Sequence, residues 1–189
     1  MIIKEFEDSG YDVKYQVVHA VEFGVPQKRE RVIIVGFRKD LNVEFDFPEA
    51  VVDSPEKYVP LSKVIDSDVD DKYFFSQKAV DGMMRNRESM NKGRAQNVDE
   101  PCNTVGAHLA KVSLNSTDPV LKVDNKYRRF TPREVARIQS FPETFKLTES
   151  EHAQYKALGN AIPPVMFWYI MRSVKDSLNS EKKYESITV

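Results

Sequence analysis

With 189 residues and 41% hydrophobic content, the chain is long enough to bury one core and too apolar to be a disordered tail. Lys and Arg total 28 against 29 Asp and Glu, a net charge of −1, so any nucleic-acid binding must use local clusters rather than a whole-molecule field. The single cysteine, Cys102, excludes an internal disulfide framework and fits a reducing compartment; His19, His108 and His152 are scattered without metal-ligand spacing, and no apolar run reaches membrane length, so no membrane partner is expected.

In residues 1–9, Ile2, Ile3 and Phe6 share one helical face, and Gly10 is the expected stop. Tyr15 to Ala20 reads as a short strand. The stretch from Phe23 to Arg38, FGVPQKRERVIIVGFR, changes character halfway. Gln27, Arg29 and Arg31 alternate with Lys28 and Glu30, so on an extended segment the three share one face. Val32-Ile33-Ile34-Val35 has no polar face, which predicts a strand buried on both sides in a parallel or mixed sheet. A core strand with two guanidiniums and an amide at its mouth is a candidate anion or base reader; a loop of solvated charges is the competing reading. A helix feeding two strands is how a piece of an α/β domain reads.

From Leu41 to about Lys126 the texture changes, with prolines at 48, 55, 60, 101 and 119 and an acidic patch from Asp66 to Asp71. This predicts a loop-rich subdomain rather than further βαβ units. Arg85, Arg87, Lys92 and Arg94 form a basic run that is either a solvated face or a set of phosphate contacts. Helical order returns at Thr131-Pro132-Arg133-Glu134, a capping box with proline at the first helical position. Val135 and Ile138 face inward, and Phe141-Pro142 ends the helix. A second capping box, Thr148 to Glu151, opens a short helix carrying Tyr155 and Leu158 that stops at Gly159. Gly159-Asn160 before Pro163-Pro164 has a structural reading, since both residue types tolerate left-handed backbone. The last helix, with Val165, Trp168 and Val174 spaced along it, is apolar on most sides and expects a large covering partner, with Trp168 in the core. The tail after Asn179 is polar and expected to be loose.

Three blocks in this order resemble the cytosine-5 DNA methyltransferases. Gln27-Lys28-Arg29-Glu30-Arg31 is similar to the family's Gln-x-Arg-x-Arg motif. Arg128 to Pro142, RRFTPREVARIQSFP, resembles its late helix motif, and Tyr155 to Pro164, YKALGNAIPP, its last motif at the cofactor pocket. The resemblance spans roughly Tyr11 to Met171. It implies an α/β fold: an incomplete Rossmann-like methyltransferase domain with a small loop-rich, mainly β target recognition subdomain. Residues 1–40 would be C-terminal strands of the catalytic domain, 41–126 the recognition region, 127–178 helices returning to the catalytic domain, and 179–189 the tail.

The implied activity is transfer of methyl from S-adenosylmethionine to carbon 5 of a flipped cytosine in double-stranded DNA, in a cytoplasmic, DNA-associated protein. By the same resemblance Arg31 would contact the target base, while Arg29 and Gln27 would hold the active-site loop and nearby backbone as further DNA-site residues. Thr104 would touch the DNA backbone, and Asn160 and Ala161 would line the end of the cofactor pocket. The Gly-rich cofactor loop, the ribose-binding acid and the Glu-Asn-Val block of the family do not occur in the sequence. The chain therefore reads as a C-terminal portion needing an N-terminal half, as a split subunit, a truncated reading frame or an excised piece. A non-catalytic DNA-binding remnant is the alternative. Pro101-Cys102 echoes the family's nucleophile but lies after the Gln-x-Arg-x-Arg motif rather than before it, and a free cysteine is more often a small buried hydrophobe. Exposed apolar surface and self-association of the isolated chain are expected.

Overall fold

Helix α1 (Ile2–Asp8) ends where Gly10 adopts φ +90°, a conformation open to glycine at little cost. The chain then forms a long hairpin: β1 (Tyr11–His19) pairs antiparallel with β3 (Glu30–Arg38), with Tyr15 opposite Ile34 and Val17 opposite Val32. Between them a 3-10 turn (Ala20–Phe23), closed by left-handed Gly24, leads into β2 (Gln27–Lys28). In this computed structural model, residues 2–85, 95–111, 118–124, 126–147 and 150–185 are described. The basic run at Arg85, Arg87, Lys92 and Arg94 lies outside the residues whose side chains are described, and so does Thr148.

After the hairpin, the described residues between 41 and 126 are mostly loops and single 3-10 turns around helix α2 (Gln77–Arg85). Their strands are short: β4 (Ala95–Gln96), β5 (Cys102–Asn103) and β6 (Val120–Val123). β6 lies between β4 and β7 (Lys126–Arg128), while β5 pairs in parallel with β2. The expected mainly β character is thus weak among the described residues. Prolines remove ladder donors here, and much of the backbone is satisfied in turns instead.

Helix α3 (Pro132–Ile138) starts with the expected capping box, Thr131 and Glu134 satisfying each other's backbone N–H. It stops earlier than Phe141, because Ser140 is left-handed at φ 65° and its hydroxyl accepts from the Val165 N–H. Helix α4 (Glu151–Asn160) is capped by Ser150. Helix α5 (Pro164–Glu185) runs past Asn179, so the expected loose tail is helical to residue 185. No helix of the described residues is long and apolar enough to cross a membrane.

Two cores result. One joins Leu61, Cys102, Val105, Leu109 and Leu121 to Phe130, Val135, Ile138, Tyr155 and Leu158, so the loop-rich region shares a core with α3 and α4. The other packs Val18, Ala20, Phe23 and Val25 on Met166 and Ile170 of α5. Only one face of the hairpin takes part. Val32 is 61% and Ile34 39% exposed, which corrects the expectation of burial on both sides: no second layer among the described residues covers that face. Trp168, expected in the core, is 53% exposed, because α5 buries the stripe through Met166 and Ile170 instead.

Candidate functional site

The segment from Gln27 to Arg31 crosses between the two cores. Pairing of β2 with β5 places Gln27 beside Cys102 and Lys28 beside Asn103. Gln27 is fully buried: its amide nitrogen donates to Gln139 Oε1 at 2.9 Å, and its amide oxygen accepts from the Val105 N–H at 2.8 Å. Gln139, also fully buried, passes the chain on by donating to the Leu158 carbonyl. A buried amide is tolerated when its donors and acceptors are paired in this way.

Arg29 is 4% exposed and has carbonyls as partners. Nη1 donates to Val105 O at 3.2 Å; Nη2 donates to Gly159 O at 3.3 Å and Ala161 O at 3.1 Å; Nε has no partner among the described residues. Burial first, and the Arg31 charge second, lower this guanidinium from its ordinary value to about 10. It remains a cation at neutral pH, held without a carboxylate among the described residues. Arg31 differs. It is half-buried at the start of β3, and its hydrogen bond among the described residues is from Nη1 to the adjacent Glu30 carbonyl, 2.6 Å. Gln27, Arg29 and Arg31 therefore do not form one open face. The first two turn inward, and Arg31 stays half-buried, with its bond among the described residues going to the adjacent carbonyl.

Thr104 is exposed where the chain leaves β5, and its hydroxyl donates to the Lys28 carbonyl at 2.9 Å. The next residues approach α4 very closely. A Cβ on Gly159 would lie 2.2 Å from the Gly106 carbonyl carbon and 2.3 Å from its oxygen, so only glycine allows this contact. Gly159 and Asn160 are helical, not left-handed; the glycine is required by packing rather than by φ. The arrangement brings Arg29, the Thr104 loop and the Gly159–Ala161 turn into one cluster. Asn160 is exposed, next to half-exposed Ala161 and to Ile162 at 46% exposure. An open amide beside an apolar side chain suits one end of a ligand that is part polar and part apolar, as S-adenosylmethionine is. The Ala161 carbonyl is engaged by Arg29 and contributes position.

Cys102 has no exposed surface, and burial raises its thiol well above the ordinary value, so it stays protonated and inert. His108 is exposed beside the Thr104 loop. No group of three or more His, Cys, Asp and Glu among the described residues could hold a metal ion. Two supports were not read from the sequence as such. Gln139 sits at the end of the Arg137-Ile138-Gln139 block, where an amide at a helix end gave no signal of burial. Glu134, read only as a cap, also binds Arg128 through both oxygens, at 2.7 and 2.8 Å, and accepts from the Asp66 N–H.

A model of the family described as C-5 cytosine-specific DNA methylase matches residues 1–176. Type II methyltransferase M.FnuDI of Fusobacterium nucleatum is 36% identical over 208 aligned positions, covering 96% of this chain and 60% of the relative. Type II methyltransferase M.MthTI of Methanothermobacter thermautotrophicus is 32% identical, covering 94% of this chain and 60% of the relative. Among solved structures, the S. pombe Dnmt2 methyltransferase superposes with a TM-score of 0.73 at 17% identity, covering 94% of this chain and 60% of that one; this is a likeness of fold. The chain spans about 60% of the length of these relatives.

Proposed function

This chain belongs to the C-5 cytosine-specific DNA methylase family, and on that premise we propose that it is the base-receiving, cofactor-closing part of a DNA cytosine-5 methyltransferase. The substrate is double-stranded DNA with the target cytosine turned out of the stack, at an unstacking cost of a few kcal/mol that contacts in the site must offset. Bound S-adenosylmethionine supplies an electrophilic methyl group. Arg31 donates hydrogen bonds to acceptor atoms of the flipped base. Gln27 and Arg29 fix the backbone on either side, tying β2 to Val105 and to the Gly159–Ala161 turn. Thr104 stands at the exposed end of that tie and contacts the DNA backbone, while Asn160 contacts the cofactor. The thiolate that adds to carbon 6 comes from a segment outside these residues, on the same or another polypeptide, because Cys102 is sealed in the core.

The observation that carries this reading is the division between neighbours: Gln27 and both Nη groups of Arg29 are consumed internally, while Arg31, bonded among the described residues to the adjacent carbonyl, has further donors to offer. The test is labelled-methyl transfer to DNA by the complete enzyme containing this chain. Arg31→Ala is expected to reduce the rate by roughly 100-fold or more, as for removal of one well-placed charged donor, with the melting temperature unchanged. An unchanged rate would sink the assignment. The burial of the only thiol favours a second reading, a DNA-binding module without chemistry of its own. In that case the chain alone binds DNA, with log affinity falling against log salt by about 0.9 per phosphate engaged, and no complementing segment confers methyl transfer.

A further inference from the structure

The alternation that turns Gln27 and Arg29 inward sends Lys28 the other way, to the surface beside the Thr104 loop. Its side chain is 47% exposed and meets that of Glu100, 53% exposed, with Nζ donating to Oε2 at 2.6 Å. Asn97 holds the carboxylate in place, its amide nitrogen donating to Oε1 at 3.1 Å. Lys28 first and Asn97 second keep the Glu100 carboxyl below its ordinary range, so it is ionised at neutral pH. Neither backbone depends on the pair. β2 is fixed by its pairing with β5 and by the Cys102 N–H donating to the Pro26 carbonyl at 3.0 Å; the Glu100 carbonyl accepts from the Leu61 N–H at 2.9 Å. The Arg128–Glu134 pair is buried and the Arg137–Asp66 pair half-buried, as ties between segments are, whereas Lys28 and Glu100 lie open. An exposed pair of this kind is weak, a factor of about five at most in an equilibrium.

The Thr104 hydroxyl donates to the Lys28 carbonyl at 2.9 Å, so the lysine lies within one side chain's reach of whatever Thr104 touches. We propose that Lys28 is a phosphate-contacting residue of the DNA site and that Glu100 is its resident counter-ion, exchanged for a backbone phosphate when duplex DNA reaches Thr104. The inference rests on the functional reading above, in which Thr104 meets the DNA backbone. A phosphate offers the ammonium the same charge-assisted bond as the carboxylate, and its neutralisation also releases a condensed counter-ion from the duplex, so the exchange is favourable. Without DNA the carboxylate occupies the ammonium, and binding must first break the pair. Glu100 thus lowers the hold on DNA below what Lys28 unmasked would give, by a factor equal to the strength of the pair.

The test is equilibrium binding of a mixed-sequence DNA duplex by the complete enzyme containing this chain, across a series of salt concentrations. Lys28→Ala is expected to weaken binding and to reduce the slope of log affinity against log salt by about 0.9, the value for one phosphate contact. Lys28→Arg, which keeps the charge, should keep the slope. Glu100→Gln should tighten binding about three- to fivefold with the slope unchanged, and should have no effect in the Lys28→Ala background, because the carboxylate acts through the ammonium. Both side chains are exposed and the backbone bonds remain, so the variants should melt as the parent does. The proposal is overturned if Lys28→Ala leaves the slope unchanged, if Glu100→Gln does not tighten binding, or if it tightens binding equally without Lys28, which would make Glu100 a direct repeller of DNA. Labelled-methyl transfer that is insensitive to Arg31→Ala would defeat the functional reading, and a slope that still falls with Lys28→Ala would leave the phosphate contact standing.

Discussion

Arg29 and Arg31 lie two residues apart and do opposite work. Arg29 commits both Nη groups to three carbonyls from two other segments, so its loss would leave those acceptors unpaired; among the described residues Arg31 is tied to its neighbour's carbonyl. Glu134 is a second residue whose setting defines it. It is fully buried, caps α3, and grips Arg128, itself 1% exposed, through both oxygens. A buried pair adds little net stability against a well-packed apolar substitute, but removing one member strands the other charge. Glu134→Ala is therefore expected to destabilise the chain by about 3–5 kcal/mol in denaturant titration. A loss below about 1 kcal/mol, the size of a simple cap deletion, would show that the pair is not buried in solution.

At the scale of elements, the contact between α4 and the loop after β5 depends on a missing side chain. A methyl group on Gly159 must push Gly106 away, and the nearest atoms are backbone, which cannot swing aside. Gly159→Ala is expected to cost about 1–3 kcal/mol, the usual range for overpacking, and to loosen the Arg29 bonds to the same turn. Gly106→Ala is the control. Among the described residues its added methyl would meet nothing closer than an Asp118 side-chain oxygen at 3.5 Å, and φ there is not positive, so thermal melting should barely move. Equal losses from the two substitutions would refute the close-approach explanation. The hairpin shows the complementary case: β3 forms as the apolar run predicts, but its burial depends on a layer that local sequence cannot provide.

At the scale of the molecule, side-chain ties bind the loop-rich region to the helices that follow it. Arg137 reaches Asp66 and Glu143, and Glu151 at the start of α4 accepts from Lys72 and from the Tyr73 hydroxyl. Lys72 first and Tyr73 second hold the Glu151 carboxyl below its ordinary range. A depressed native value means that this stabilisation is present above the ordinary glutamate value of about 4.3 and is lost as pH falls through the native one. Glu151→Gln should accordingly flatten part of the acid limb of stability against pH below about 4, and an unaltered limb would discount the tie. The sequence by itself determined what is local or composed of recognisable blocks. The α3 capping box, the stop at Gly10, the hairpin strands and the three motif blocks were legible because caps, periodicity and turn chemistry act within a few residues. Tertiary structure alone decided which motif residues turn inward. The same alternation at Gln27, Arg29 and Arg31 yields two buried ties and one open donor, because β5 and the end of α4, more than seventy residues away in sequence, arrive on one side of the strand mouth. It likewise decided that Gly159 serves close packing rather than a left-handed turn, since the atom a Cβ would strike belongs to Gly106.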